Sequence, residues 1–263
     1  MTSQERMINC LNFSPIDHVP DKEFNYWEET MRRWKGEGVP DCVDSDELCE
    51  MYFGLERRYR LPVNFLLEPA FEIEEAGTRD GYRYYYDTDH VLCKVPSDGH
   101  TTMPYHIEYP LKARNDWEKT FKPRLNSDSS GRYAKDLLRK IHESLSKDYY
   151  IDAYIGSLFG ILRNWVGFEN ICYMVHDDPG LLNEMIGHLA DTICEILERA
   201  LPGTEGLVCL AYFWEDITFN TGPMISPTFF DEYVVPRYKQ ITDVLHTYNI
   251  CHVVVDSDGW IGP

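Results

Sequence analysis

Two apolar runs that each stop at acids constrain this chain more than any other feature. Leu207-Val208-Cys209-Leu210-Ala211-Tyr212-Phe213-Trp214 is apolar without interruption, the pattern of a strand buried on both faces of a sheet. It ends at Glu215-Asp216 and gives way to the polar loop Ile217-Thr218-Phe219-Asn220-Thr221-Gly222-Pro223. Ser226-Pro227 then opens a helix, with serine as N-cap and proline at the first helical position. The helical pattern runs to about Tyr248, and Pro236 must kink or interrupt it because it has no N–H to donate. His252-Val253-Val254-Val255 is a second buried strand, ending at Asp256-Ser257-Asp258-Gly259. Two strands joined by a helix, each delivering carboxylates where it stops, make a βαβ unit with its chemistry on one rim.

The rest of the chain repeats the alternation. Thr2 to about Phe13 reads as a short amphipathic helix with Met7, Ile8, Leu11 and Phe13 as its apolar positions. Lys22-Glu23-Phe24-Asn25-Tyr26-Trp27 reads as a first strand, followed by helices over Glu28 to Glu37 and Asp44 to Phe53, the latter capped by Asp44 or Ser45. Val63-Asn64-Phe65-Leu66-Leu67 reads as a second strand ending at Glu68. Tyr82 to Tyr86 and Val91 to Val95 flank Asp87-Thr88-Asp89-His90, which predicts a hairpin outside the main sheet, within an irregular insertion over 72–126. A helix over Tyr133 to Leu145 leads into a third strand, Tyr149 to Gly156. A helix from Ile161, broken at Gly167, and an amphipathic helix capped by Asp178-Pro179 return the chain to the Gly206 strand. Strand–helix alternation of this kind predicts a parallel α/β sheet in a single domain over 1–263, with about five βα units.

Charge narrows the partners. Lys plus Arg number 25 against 44 Asp plus Glu, a net charge of −19, which repels nucleic acid and anionic membrane. It also disfavours a highly carboxylated substrate unless a local basic pocket overrides the global field. No apolar run approaches the roughly 20 residues of a membrane span, and the start has no signal-peptide pattern, so a cytoplasmic protein is expected. The eight cysteines are scattered, with no C-x-x-C; reduced thiols are expected, and no zinc site assembles from local spacing.

Three stretches resemble the uroporphyrinogen decarboxylase superfamily, which also holds cobamide-dependent methyltransferases. They are Glu5-Arg6 through Leu11-Asn12-Phe13 with Asp17-His18-Val19-Pro20; Gly156-Ser157-Leu158-Phe159-Gly160 through Met174 to Asp177-Asp178-Pro179; and Glu215-Asp216 through Gly222-Pro223-Met224-Ile225-Ser226-Pro227, Phe230 and Pro236-Arg237-Tyr238 to Asp256-Ser257-Asp258-Gly259. The resemblance implies a (β/α)8 TIM-barrel type fold with its active site at the C-terminal rim, here incomplete, as in the amino-terminal part of a longer protein. It also implies a possible homodimer. Two departures stand out. Where decarboxylases carry an arginine-rich "RQAGR" segment, this chain has the acidic Glu23-Phe24-Asn25-Tyr26-Trp27-Glu28-Glu29. Where zinc methyltransferases of the superfamily carry a "HxCG"-like motif, it has Asp256-Ser257-Asp258-Gly259, without cysteine.

The candidate catalytic residues are the carboxylates that follow apolar strands: Glu215, Asp216, Asp258 and Glu68. Converging at one rim, they could ligate a hard metal through oxygen, or protonate a leaving methoxyl or amine. Glu23, Tyr26, Tyr154, Phe159 and Arg163 are the candidate substrate-binding residues, the arginine as an anion anchor. The competing structural readings are helix capping, ion pairing with Arg163 or Arg237, and core packing of the aromatics. His252 begins a strand at the opposite rim and His176 precedes a helix cap, so neither is expected to be a ligand. Two activities fit the resemblance. One is methyl transfer between a small methoxylated or methylamine-type compound and a corrinoid on a carrier protein. The other is a uroporphyrinogen decarboxylase-type carboxy-lyase reaction in tetrapyrrole metabolism; an inactive fragment is the bland alternative.

Overall fold

In the computed structural model, which describes residues 1–99 and 103–261, the chain opens with α1 (Ser3–Leu11). Its N-cap Thr2 accepts from the Glu5 N–H while the Glu5 carboxylate accepts from the Thr2 N–H, a reciprocal capping box. The Gln4 amide accepts from the Ile151 N–H and donates to the Leu207 carbonyl, fastening α1 across the N-terminal ends of two strands. The apolar stripe stops at Leu11: Phe13 has a positive φ and is 99% exposed, not packed as expected. α2 (Glu28–Gly36) and α3 (Asp46–Phe53) follow, the second capped by Ser45, whose side chain accepts from the Leu48 N–H.

The first strand, β1 (Arg58–Arg60), was hidden by its charges, and two expected strands do not form. Residues 22–27 form no strand and bend at Phe24, with Phe24 and Trp27 exposed. Val63 to Leu67 buries Phe65 and Leu67 but is irregular. The buried Arg132 guanidinium donates to the Asn64 carbonyl at 2.9 Å and to the Leu66 carbonyl at 2.5 Å, taking acceptors a ladder would need.

The expected hairpin is half of a four-stranded antiparallel sheet. It comprises β2 (Glu74–Arg79), β3 (Tyr82–Tyr86), β4 (Leu92–Pro96) and β5 (Tyr105–Glu108), in sequential order. The β2–β3 turn is Asp80-Gly81, both at positive φ, the geometry that matches strand twist in two-residue hairpins. The outer strands escaped notice because both are exposed along their whole length, β2 has no apolar face, and β5 carries only Tyr105 and Ile107 on one.

After the short helix α4 (Arg114–Asp116) and the helix α5 (Leu137–Ser146), the chain adds β6 (Tyr150–Gly156) beside β1 in the main sheet. α6 (Phe159–Val166) and α7 (Phe168–Asp177) are separated by Gly167, and Asp178 caps the long α8 (Pro179–Ala200) by accepting from the Leu181 N–H. β7 (Leu210–Trp214) begins three residues later than its apolar run, and a two-stranded ribbon, β8 (Thr218–Phe219) and β9 (Gly222–Pro223), occupies the polar loop. Ser226 caps the expected helix, which starts as α9 (Pro227–Phe229). It widens to π geometry over Phe230–Val234 and continues as α10 (Val235–Thr247), so Pro236 is absorbed by a register change. β10 (Val253–Asp256) ends the described sheet.

The main sheet is parallel throughout, in the order β1-β6-β7-β10. The fold is thus α/β, a partial (β/α)8 arrangement with an antiparallel insertion, and the described sheet has four strands rather than five. Its outer face, including Ile151, Ala153, Ile155, Ala211 and Phe213, packs under α6, α8 and α10 to form the main core. The inner face is different: Tyr150, Leu210 and Tyr212 cluster with Met7 of α1, which closes the N-terminal end. No described helix is long and apolar enough to cross a membrane.

Two positions in the helical layer yield testable expectations. A Cβ on Gly167 would lie 2.5 Å from the Tyr109 ring, at a φ of +90. Gly167→Ala is therefore expected to cost about 1–3 kcal/mol in urea denaturation. His188, on α8 against Trp117, is held below the ordinary 6.5 by burial and then by Lys122. A base depressed in this way binds fewer protons folded than unfolded, so its contribution is complete above 6.5 and is lost as pH falls below it. The Tm is expected to fall more steeply on acidification below that value in the wild type than in His188→Phe.

Candidate active site on the inner face of the parallel sheet

Register decides which side chains meet. Arg58 pairs with Tyr150, Arg60 with Asp152, Tyr154 with Tyr212, and Tyr212 with Val254. Strand alternation therefore places Arg58, Arg60, Tyr150, Asp152, Tyr154, Tyr212 and Asp256 on one face, opposite the apolar outer set. Asp152 lies at its centre, 1% exposed, and its Oδ1 has no hydrogen-bond partner among the described residues. The buried Tyr150 hydroxyl is likewise unpartnered. Buried polar atoms are rarely left unpaired, so two in one cluster leave hydrogen bonds here still to be made.

Above Asp152 the cluster becomes progressively wetter. Tyr154 and Tyr212 stack with centroids 5.6 Å apart; the Arg60 guanidinium lies 4.2 Å over the Tyr154 ring and Lys22 Nζ 5.0 Å over the Tyr212 ring. Burial and then the half-buried Asp256 carboxylate push the Tyr212 hydroxyl up. Burial pushes the Asp152 carboxyl up, against Arg58, Arg60 and Lys22, which pull it down. Burial and then Arg58 push the Lys22 ammonium down. A desolvated carboxyl beside cations and rings can hold a proton at Oδ1 and present it to a bound anion, which is general-acid geometry.

The expected site residues divide among several places. Tyr154 is in the cluster. Glu215 is 2% exposed and accepts from the N–H groups of Leu158 (2.7 Å), Phe159 (3.1 Å) and Gly160 (2.8 Å), and from the Tyr238 hydroxyl. It seals the N-terminus of α6, where the helix dipole favours an anion, and burial pushes its carboxyl up while these donors push back. Gly160 permits the approach, since a Cβ there would sit 2.8 Å from Ser157 Oγ and 3.2 Å from Glu215 Oε2. Phe159 itself is 1% exposed core. Asp216 and Arg163 hold one another: Arg163 donates to the Asp216 carbonyl at 2.6 Å and to its carboxylate at 3.3 Å. Glu68 accepts from Asn64 at 3.1 Å, beside Gly131. Tyr26 packs on Trp34 of α2, its hydroxyl pushed up to about 12 by burial, and Glu23 is exposed. Asp258 is exposed, with its carbonyl accepting from Thr218.

Asp152, Arg58, Arg60, Lys22 and Asp256 went unnoticed as site residues. The available signal was the period-two alternation Tyr150-Asp152-Tyr154 against Ile151-Ala153-Ile155, which puts an acid on one face of a strand otherwise read as uniformly buried. A separate cavity of about 760 Å³ lies between β10 and α10, lined mainly by apolar side chains such as Ile217, Ile225, Phe230 and Val255. It is on the helix side of the sheet, and the Glu215 oxygens at its wall are already occupied.

A partial parallel barrel with a polar cluster on its inner face is the architecture of an enzyme. The profile of the uroporphyrinogen decarboxylase (URO-D) family matches residues 93–261, and the chain belongs to that family. Its fold is similar to that of a methyltransferase from Methanosarcina mazei, with a TM-score of 0.52 at 16% identity, over 98% of this chain and 70% of that one. No curated protein matches the chain.

Proposed function

We propose that this protein is a methyltransferase that removes the methyl group of a small methoxylated carboxylic acid. The observation that carries the reading is the buried Asp152, with one oxygen unpartnered, beneath two stacked tyrosines and three cations. With Asp152 holding its proton, Lys22, Arg58 and Arg60 stand against the single carboxylate of Asp256. That cationic excess suits a substrate carboxylate, and it supplies the local basic pocket that the acidic chain otherwise lacks. It disfavours a cationic methylamine and is too small to neutralise a porphyrinogen octa-acid. Tyr154 and Tyr212 offer faces on which a substrate ring can stack. As the carbon–oxygen bond of the methoxyl breaks, its electron pair goes to the oxygen, and Asp152 delivers the proton that makes it a neutral hydroxyl.

A corrinoid on a partner protein would supply the nucleophile that accepts the methyl group. The cluster residues include no imidazole to ligate cobalt, which fits a corrinoid held elsewhere. The methyltransferase fold likeness supports this reading as well. The cation cluster also favours a second one, decarboxylation of a small acid gripped by Arg58 and Arg60, with Asp152 protonating the carbanion left after carbon dioxide departs.

The test uses free cob(I)alamin as acceptor with methoxylated aromatic acids, neutral methoxy compounds and methylamines. Methylation of the cobalamin, read from its spectrum, is expected with the acids alone. Carbon dioxide release without methyl uptake would replace the first reading by the second. Equal response to neutral donors would remove the cations from the account.

A further inference from the structure

The antiparallel sheet brings together three ligand-type side chains whose spacing in sequence gives no hint of it. Asp87 lies in the loop after β3, Cys93 on β4, and His106 on β5, where it is the register partner of Cys93. Their ligand atoms all lie within 4.8 Å of one another. We propose that Asp87, Cys93 and His106 form a zinc(II) site that clasps the loop after β3 to the β4–β5 pair.

Each donor is prepared in a way that favours an ion. Asp87 Oδ1 accepts from the N–H groups of Asp89 and Val91, both at 2.9 Å, which orients the carboxylate and leaves Oδ2 facing Cys93 Sγ at 3.5 Å. Cys93 is 1% exposed and sits on a strand paired on both sides, so its sulfur is held in place. His106 is exposed, against the edge of Tyr109, and its ring can swing inward. Zinc bonds of about 2.0–2.3 Å require ligand atoms roughly 3.3–3.8 Å apart in a tetrahedron, so the triad must contract by about 1.5 Å at most. The exposed imidazole has room for that movement.

The donor set selects the metal. One thiolate, one imidazole and one carboxylate oxygen form a mixed borderline set, unlike the all-oxygen shells of calcium and magnesium. Zinc binding releases to solvent the proton that the Cys93 thiol donates to Asp87 Oδ2, and the resulting thiolate and the carboxylate carry two negative charges, which a divalent ion neutralises. Three protein ligands leave a fourth position for water. The site is independent of the inner-face cluster and of any assignment of the reaction.

The test is made on the full chain expressed in zinc-replete medium. Stoichiometric zinc surviving gel filtration is expected by elemental analysis. Cobalt(II) replacing it should give a thiolate-to-metal charge-transfer band in the near ultraviolet. The band should disappear in Cys93→Ser. In His106→Gln, whose exposed position keeps folding out of question, zinc affinity against a chromogenic chelator should fall about 10–100-fold or more, the range seen even for groups one step removed from a metal. Zinc-free protein that binds no cobalt would overturn the proposal, as would a charge-transfer band or an affinity unchanged in these variants.

Discussion

Asp152→Asn is expected to lower kcat by about 100- to 10,000-fold, the span attributed to a positioned general acid. This corresponds to about 3–5 kcal/mol of barrier. The variant keeps the shape of the side chain but has no proton to give to the departing oxygen, so substrate binding should change much less than turnover. Its stability distinguishes this from a structural role. Burial raises the Asp152 carboxyl above the ordinary 3.8. A raised acid contributes stability that is complete below 3.8 and is lost as pH rises through its folded value. Asparagine undergoes no such loss, so near neutrality the variant should be as stable as the wild type or more so. Turnover by the wild type should fall as pH rises through the same raised value, a limb that asparagine abolishes. A variant with full activity and a raised Tm would make Asp152 a buried charge with no catalytic part.

Glu215→Ala should have the largest effect on stability. It strands the N–H groups of Leu158, Phe159 and Gly160 and the hydroxyl of Tyr238, all bonded to one carboxylate beneath the helices. Each stranded donor costs roughly 1–3 kcal/mol, so a loss on the order of 4 kcal/mol or more is expected in urea denaturation. That is a large share of the roughly 5–15 kcal/mol by which domains are stable. Glu215→Gln retains one acceptor oxygen but turns an NH2 toward donors, and should lose about 2–3 kcal/mol. If Glu215 acted on substrate instead, the glutamine variant would lose turnover at an unchanged Tm.

Both substitutions concern acids in or after β6 and β7, yet they were not equally visible. The acid at the end of β7 was legible because an apolar run stops there. What it does was not: its three N–H partners lie more than fifty residues upstream, and only the packing of α6 against β7 turns it onto them rather than toward a ligand. Asp216 and Arg163 illustrate the same point, two expected site residues that meet and satisfy one another. Asp258 was expected to carry chemistry from the end of β10, but the inward position belongs to Asp256, because the strand ends there and the chain bends at Asp258-Gly259, leaving Asp258 exposed.

What the sequence by itself determined is local and physical. Thr2, Ser45, Asp178 and Ser226 cap helices because each side chain sits where N–H groups need an acceptor. The apolar runs around β6, β7 and β10 form a parallel sheet because both their faces must be covered. Only the tertiary structure decided the rest. Arg58 and Arg60 become a strand because β6 pairs with them, while Val63 to Leu67, more strand-like in composition, yields its carbonyls to Arg132. The Asp152 cluster and the Asp87–Cys93–His106 triad are each assembled by pairing register, and register depends on which strands meet, which no local pattern of residues encodes.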